Sequence, residues 1–66
     1  MKTVNKKVKL DLTTVDGNAF SIIGAFENEA KRQGWSKEEI VTVRKEAISS
    51  DYNHLVATYL KHTKKK

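Results

Sequence analysis

Asp16-Gly17-Asn18-Ala19-Phe20-Ser21-Ile22-Ile23-Gly24-Ala25-Phe26 decides how this chain folds, because it admits two readings. Asp-Gly is a two-residue hairpin signal, which would make residues 18–23 a second strand. It is equally a turn that delivers a helix start with exposed backbone N–H groups. Periodicity favours the helix: Ala19, Ile22, Ile23, Phe26 and Ala30 fall within an arc of roughly 100°. Glu27 and Lys31 add an i,i+4 pair in the favourable order, and Gly34 stands where a helix stops in a left-handed conformation.

Towards the N-terminus, Val8, Leu10 and Leu12 alternate with Lys7, Lys9 and Asp11, the period of a strand with one buried face. A strand over residues 4–12 is expected. Towards the C-terminus, Trp35-Ser36-Lys37-Glu38-Glu39-Ile40 carries a full helix-start signature. Ser36 is the N-cap, Glu39 closes a capping box, and Trp35 can staple onto Ile40. This second helix is predicted to run to about residue 48. Ser49, Ser50 or Asp51 then caps a third, with Tyr52, Leu55, Val56, Tyr59 and Leu60 on one face and Lys61 and His62 suiting the dipole of its last turn. The expected fold is mainly α, in the order β-α-α-α. One strand cannot make a sheet, and its unpaired edge invites pairing between chains.

With 66 residues the chain is read as one domain, 1–66, with a basic arm over 1–9 and a basic tail over 61–66. A core this small supplies only about 3–5 kcal/mol, and with no cysteine there is no disulfide or thiolate zinc site to supplement it. Self-association is the remaining common supplement. The net charge of +5 is unevenly spread. Lys2, Lys6, Lys7 and Lys9 lie in the arm, and Lys61, Lys64, Lys65 and Lys66 in the tail, which leaves five basic residues against eight acids between them. Basic ends thus flank an acidic body. Such ends either hold nucleic acid by counterion release or keep a small protein soluble. Met1–Asn5 offers no apolar leader segment, and no run approaches the ~20 apolar residues of a membrane span. A cytoplasmic location without membrane contact is expected.

Two blocks, Asp16-Gly17-Asn18-Ala19-Phe20 and Asp51-Tyr52-Asn53-His54-Leu55, together with Gly24, Arg32-Gln33-Gly34 and Glu38-Glu39-Ile40, resemble a widespread family of short bacterial and phage proteins. The resemblance covers about residues 10–60. It implies a phage or prophage origin and an accessory role, such as countering host defences, rather than a particular activity. The chain departs from the family's pattern at Ser50, where glycine is expected, at Val41 and Asn53, where an acid is, and at Arg44, where an apolar residue is.

Catalysis is not expected. Ser49, Asp51 and His54 include a hydroxyl, a carboxylate and an imidazole, but at the spacing of an N-cap and first helical turn. His54 is placed on the face away from the core. His54 and His62 are eight apart and make no i,i+4 metal pair, and no phosphate loop or dinucleotide fingerprint is present, so neither metal nor cofactor is expected. Arg44 lies between Ile40 and Ile48 in the apolar arc of the second helix, where a charge must snorkel, pair with an acid or meet an anionic ligand. Phe20 and Gly24 lie outside the first helix's apolar arc, and a mid-helix glycine costs about 1 kcal/mol against alanine. With Val8, Leu10, Val41 and Ile48 they form the candidate surface of a homo-oligomer.

These residues point first to a non-enzymatic binding protein for an anionic ligand such as a nucleotide. Asp16 and Asn18 at the start of the first helix would join Asp51, Tyr52, Asn53 and His54 at the start of the third, with Arg44 balancing charge. The alternatives are a nucleic-acid-binding accessory protein that uses the basic arm and tail, and an interaction module that blocks a host factor through a helical face.

Overall fold

Side-chain caps set the start of every helix. In the computed structural model, which describes residues 6–65, Asn18 has extended backbone angles and its side chain accepts from the Phe20 amide at 2.8 Å, opening helix α1 (Ala19–Arg32). Ser36 accepts from the Glu39 amide at 3.1 Å while the Glu39 carboxylate accepts from the Ser36 amide at 2.9 Å, a complete capping box for α2 (Lys37–Ala47). Asp51 accepts from the His54 amide at 2.9 Å and opens α3 (Tyr52–Lys61).

Residues 19–23 are helical, with Asn18 as their cap, which overturns the hairpin reading of Asp-Gly. The favoured hairpin turn would need a positive φ at Gly17, and among the described residues Gly34 is the only glycine with one, at 92°. There the Trp35 amide reaches back to the Ala30 carbonyl and the Gly34 amide to that of Lys31, the two bonds of a Schellman stop. That reversal carries Trp35 into the core, edge-on to Phe26 with ring centroids 5.3 Å apart. Phe26 and Tyr59 are fully buried, 4.7 Å apart, within a core that also holds Val8, Ile22, Ile40, Val43, Ala47 and Leu55.

The predicted strand narrows to β1 (Val8–Lys9); Val4 and Asn5 lie outside the described residues, and Leu12 opens a short 3-10 turn over Leu12–Thr14. Its partner is in the same chain. Strand β2 (Thr63–Lys64) follows α3 directly and runs parallel to β1, with Val8 opposite Thr63 and Lys9 opposite Lys64. The premise of a strand without an intrachain partner is thereby corrected. The other edge is also occupied: the Lys9 amide donates to Gln33 Oε1 at 2.9 Å, and Gln33 Nε2 donates to the Lys9 carbonyl at 3.2 Å. A side-chain amide thus stands in for a neighbouring peptide unit. Gln33→Ala should remove protection from hydrogen exchange at the Lys9 amide and cost about 1 kcal/mol in denaturant unfolding. Undiminished protection would show that the edge is covered by something else.

Two further corrections concern the helix faces. On α3 the buried residues are Leu55, Thr58 and Tyr59, whereas Tyr52 and Leu60 are about half exposed. Thr58 is tolerated inside because its hydroxyl donates to the His54 carbonyl at 2.8 Å. On α2 the buried stripe is Ile40, Val43 and Ala47, with Ile48 exposed at the C-cap. Val8 and Leu10, expected at an oligomer surface, are buried in the chain's own core, and Val41 is half-buried.

The Tyr59 hydroxyl is buried without a hydrogen-bond partner among the described residues. Burial pushes this phenol up from 10.0 to about 12, and the Glu27 carboxylate adds to the shift. Above pH 10 the unfolded chain ionises the group while the folded chain keeps it protonated. Its contribution to stability is therefore complete below pH 10 and is lost progressively up to about pH 12. Tyr59→Phe should be more stable than the parent by about 1 kcal/mol at pH 7, through removal of an unpaired polar group. The gap should widen by up to about 1.4 kcal/mol per pH unit above pH 10. Urea midpoints at neutral pH and near pH 11 check both, and a destabilised variant at pH 7 would mean that the hydroxyl is paired in solution.

Candidate functional site

The two Asp-containing blocks meet, through Tyr52. Its hydroxyl donates to the Gly17 carbonyl, and a methyl group at Gly17 would lie 3.7 Å from that oxygen. The starts of α1 and α3 therefore share one end of the molecule. The polar groups there are committed to the backbone, however. Asp16 accepts from the Asn18 amide at 3.2 Å, Asn18 caps Phe20, and Asp51 caps His54. Asn53 is exposed. Asp16 and Asp51 are both acids, so the charge near this end opposes an anion.

His54 does not face away from the core. It is half-buried over the end of α2, with Nε2 2.8 Å from a Glu46 carboxylate oxygen, 3.0 Å from the Glu46 carbonyl and 3.4 Å from Ser49 Oγ. A nucleophilic relay needs one ring nitrogen on the hydroxyl and the other on the acid. Here both approach the same nitrogen, and the Ser49 hydroxyl donates to the Glu46 carbonyl at 2.7 Å. The cluster is a cap for the last carbonyls of α2.

Arg44 is committed to an ion pair. Its Nε donates to one Glu27 oxygen at 2.6 Å and its Nη2 to the other at 3.0 Å, a planar fork that clips α2 to α1. The Glu27 carboxylate raises the Arg44 pKa further, by hydrogen bonding and by charge. The anomalous charge in the apolar arc is therefore an intrachain ion pair. Among the described residues no group of three or more His, Cys, Asp or Glu side chains is placed to hold a metal ion.

The fold does bring together lysines from the two basic ends among the described residues. Parallel pairing of β1 with β2 sets Lys9 directly opposite Lys64, both exposed, while their neighbours Val8 and Thr63 are buried. Lys7, Lys61 and Lys65 are exposed in the residues that flank the ribbon. Among the described residues Lys7, Lys9, Lys61 and Lys64 make no ion pair, whereas Lys6 is tied to Glu39 at 2.9 Å. Acids stand close as well: Glu39 holds Lys6, and Glu29 accepts from Gln33 Nε2 at 3.3 Å beside Lys9. The Thr13 hydroxyl and amide hold the Asp11 carboxyl below its ordinary value, with Lys65 adding to this by charge. Like charges directly opposite in a ladder are destabilising, so the Lys9–Lys64 pair sits at a site that an anion would relieve. The sequence hint was a β-branched residue followed by lysine at each end, Val8-Lys9 and Thr63-Lys64.

The helices run between the two ends. α1 and α3 start at the Gly17–Tyr52 contact and finish beside the ribbon, where Gln33 meets Lys9 and the His62 carbonyl accepts from the Val8 amide at 2.7 Å. Their C-terminal carbonyls there favour cations. No helix among the described residues is long and apolar enough to cross a membrane. No protein-family model, curated protein or solved structure matches this chain.

Proposed function

We propose that this chain is a non-enzymatic accessory protein that binds the phosphate backbone of nucleic acid with its basic ribbon. The observation that carries this reading is the register of the two strands, which makes one surface of lysines from residues at opposite ends of the sequence. Lys7, Lys9, Lys61, Lys64 and Lys65 contact phosphates as point charges, without base readout, so binding is independent of sequence. The acidic opposite end disfavours docking by that face. Backbone amides occupy the Asp16, Asn18 and Asp51 side chains, and Glu27 occupies Arg44, which weakens the small-ligand reading. The resemblance to short bacterial and phage proteins supports an accessory role in that setting.

Fluorescence anisotropy with a labelled duplex and a labelled single strand, over a salt series, tests the reading. For the duplex, log affinity should fall with log salt at about −0.9 per phosphate contacted, so five lysines set a limit near −4.5. Absence of binding to either polymer at about 20 mM salt, where the counterion term is strongest, overturns it. A thermal shift with mononucleotides in that case would return the site to the Gly17–Tyr52 end.

A further inference from the structure

The solvent face of α1 has features that its own chain does not explain. Phe20 is 84% exposed in the first turn, the most exposed of the large hydrophobic side chains among the described residues. One turn further on the same face, Gly24 is a helical glycine with no atom within 4 Å of where a Cβ would stand. No intrachain neighbour requires the glycine, so packing of the strand or of α3 is excluded as its reason. A knob and a bare stretch of backbone four residues apart are self-complementary. If two α1 helices cross antiparallel about a two-fold axis, Phe20 of each lies on the Gly24 backbone of the other, which satisfies the rule that a closed two-fold contact repeats itself.

Charge on the same face favours that orientation over a parallel one. Asp16 is exposed just before the start of α1 and Lys31 is exposed in its last turn, where Lys31 makes no ion pair among the described residues. With Phe20 over the partner's Gly24, Asp16, which precedes the helix and follows no helical register, lies past the partner's Gly24 on the side of Asn28. A helical lysine leans towards its own N-terminus, so the partner's Lys31, one turn beyond, reaches back to that carboxylate. Two symmetric acid–base contacts close the pair, and the two helix dipoles oppose. A parallel arrangement would instead place Asp16 beside Asp16 and Lys31 beside Lys31.

We infer that the exposed face of α1 is the interface for a second copy of this chain, paired antiparallel through Phe20 and Gly24 and oriented by Asp16 and Lys31. This holds independently of what the basic ribbon binds, since the ribbon contributes nothing to the contact. Sedimentation velocity over a concentration series is the test, with a species of twice 7.5 kDa expected at tens of micromolar. Gly24→Leu fills open space in the monomer and improves helix propensity. It should therefore raise the melting temperature of the dilute protein by a few degrees while weakening the dimer at least tenfold. That opposition of sign separates a lost contact from a damaged fold. Lys31→Asp should weaken the dimer, and Asp16→Lys combined with Lys31→Asp should restore it. A monomer at every concentration up to several hundred micromolar overturns the inference. So does a dimer that is indifferent to Gly24→Leu and to the charge exchange.

Discussion

Replacing Phe26 with alanine is expected to leave the chain largely unfolded at 25 °C. Phe26 is fully buried at the meeting point of three elements, edge-on to Trp35 at 5.3 Å and tilted against Tyr59 at 4.7 Å. Truncating a buried phenylalanine costs about 3–5 kcal/mol through lost transfer energy and the cavity left behind. That equals roughly the whole stability such a small core can supply. The expected result is loss of the cooperative urea transition and of most helical circular dichroism. Phe20→Ala, on the same helix but 84% exposed, should stay within about 0.5 kcal/mol of the parent when measured on dilute monomer. A Phe26→Ala protein that keeps its transition within about 1 kcal/mol would contradict the central place given to this ring.

The second large effect concerns charge. Changing Lys7, Lys9, Lys64 and Lys65 together to glutamine should lower the salt slope of duplex binding by up to about 3.6 and reduce affinity near 0.1 M salt by as much as ~10³-fold. All four are exposed, and the change removes the Lys9–Lys64 repulsion across the ladder, so the fold should be at least as stable as before. Lys45→Gln serves as the control. It removes one charge from the last turn of α2, at the end away from the ribbon, and should leave the slope unchanged. If Lys45→Gln and Lys64→Gln lower the slope equally, binding follows net charge and not the ribbon, and the proposed surface is wrong.

Local residues made much of the fold legible. Asn18, Ser36 and Asp51 each act on an amide two or three residues ahead, and Gly34 closes α1 through bonds to carbonyls three to five positions back. Those interactions lie within a single turn, so their signature is contiguous in the sequence. The faces were less legible. Thr58 reads as polar until its hydroxyl is seen on the His54 carbonyl, and Tyr52 reads as core until its phenol is seen lying over Gly17. His54 was placed by the helical wheel of α3 alone, which contains nothing about the end of α2 arriving above it.

The candidate surface itself was half visible. Both lysine clusters stand plainly in the sequence, but as separate ends, and nothing local in Lys61-His62-Thr63-Lys64 distinguishes a strand from the close of a helix. By itself, the sequence determined the class of the fold, the order of the three helices, the capping box that opens the second and the sign of charge at each end, because capping and periodicity are short-range. The structure added Asn18 as the cap of the first and chose Asp51 among Ser49, Ser50 and Asp51 for the third. Only the tertiary structure decided that Thr63 pairs with Val8, that Gln33 covers the strand's other edge, that Arg44 belongs to Glu27 and that Lys9 comes opposite Lys64. Each joins residues from separate elements. Such contacts form only once the helices have packed, when burial of the shared core around Phe26 and Tyr59 offsets the chain entropy lost in bringing distant segments together.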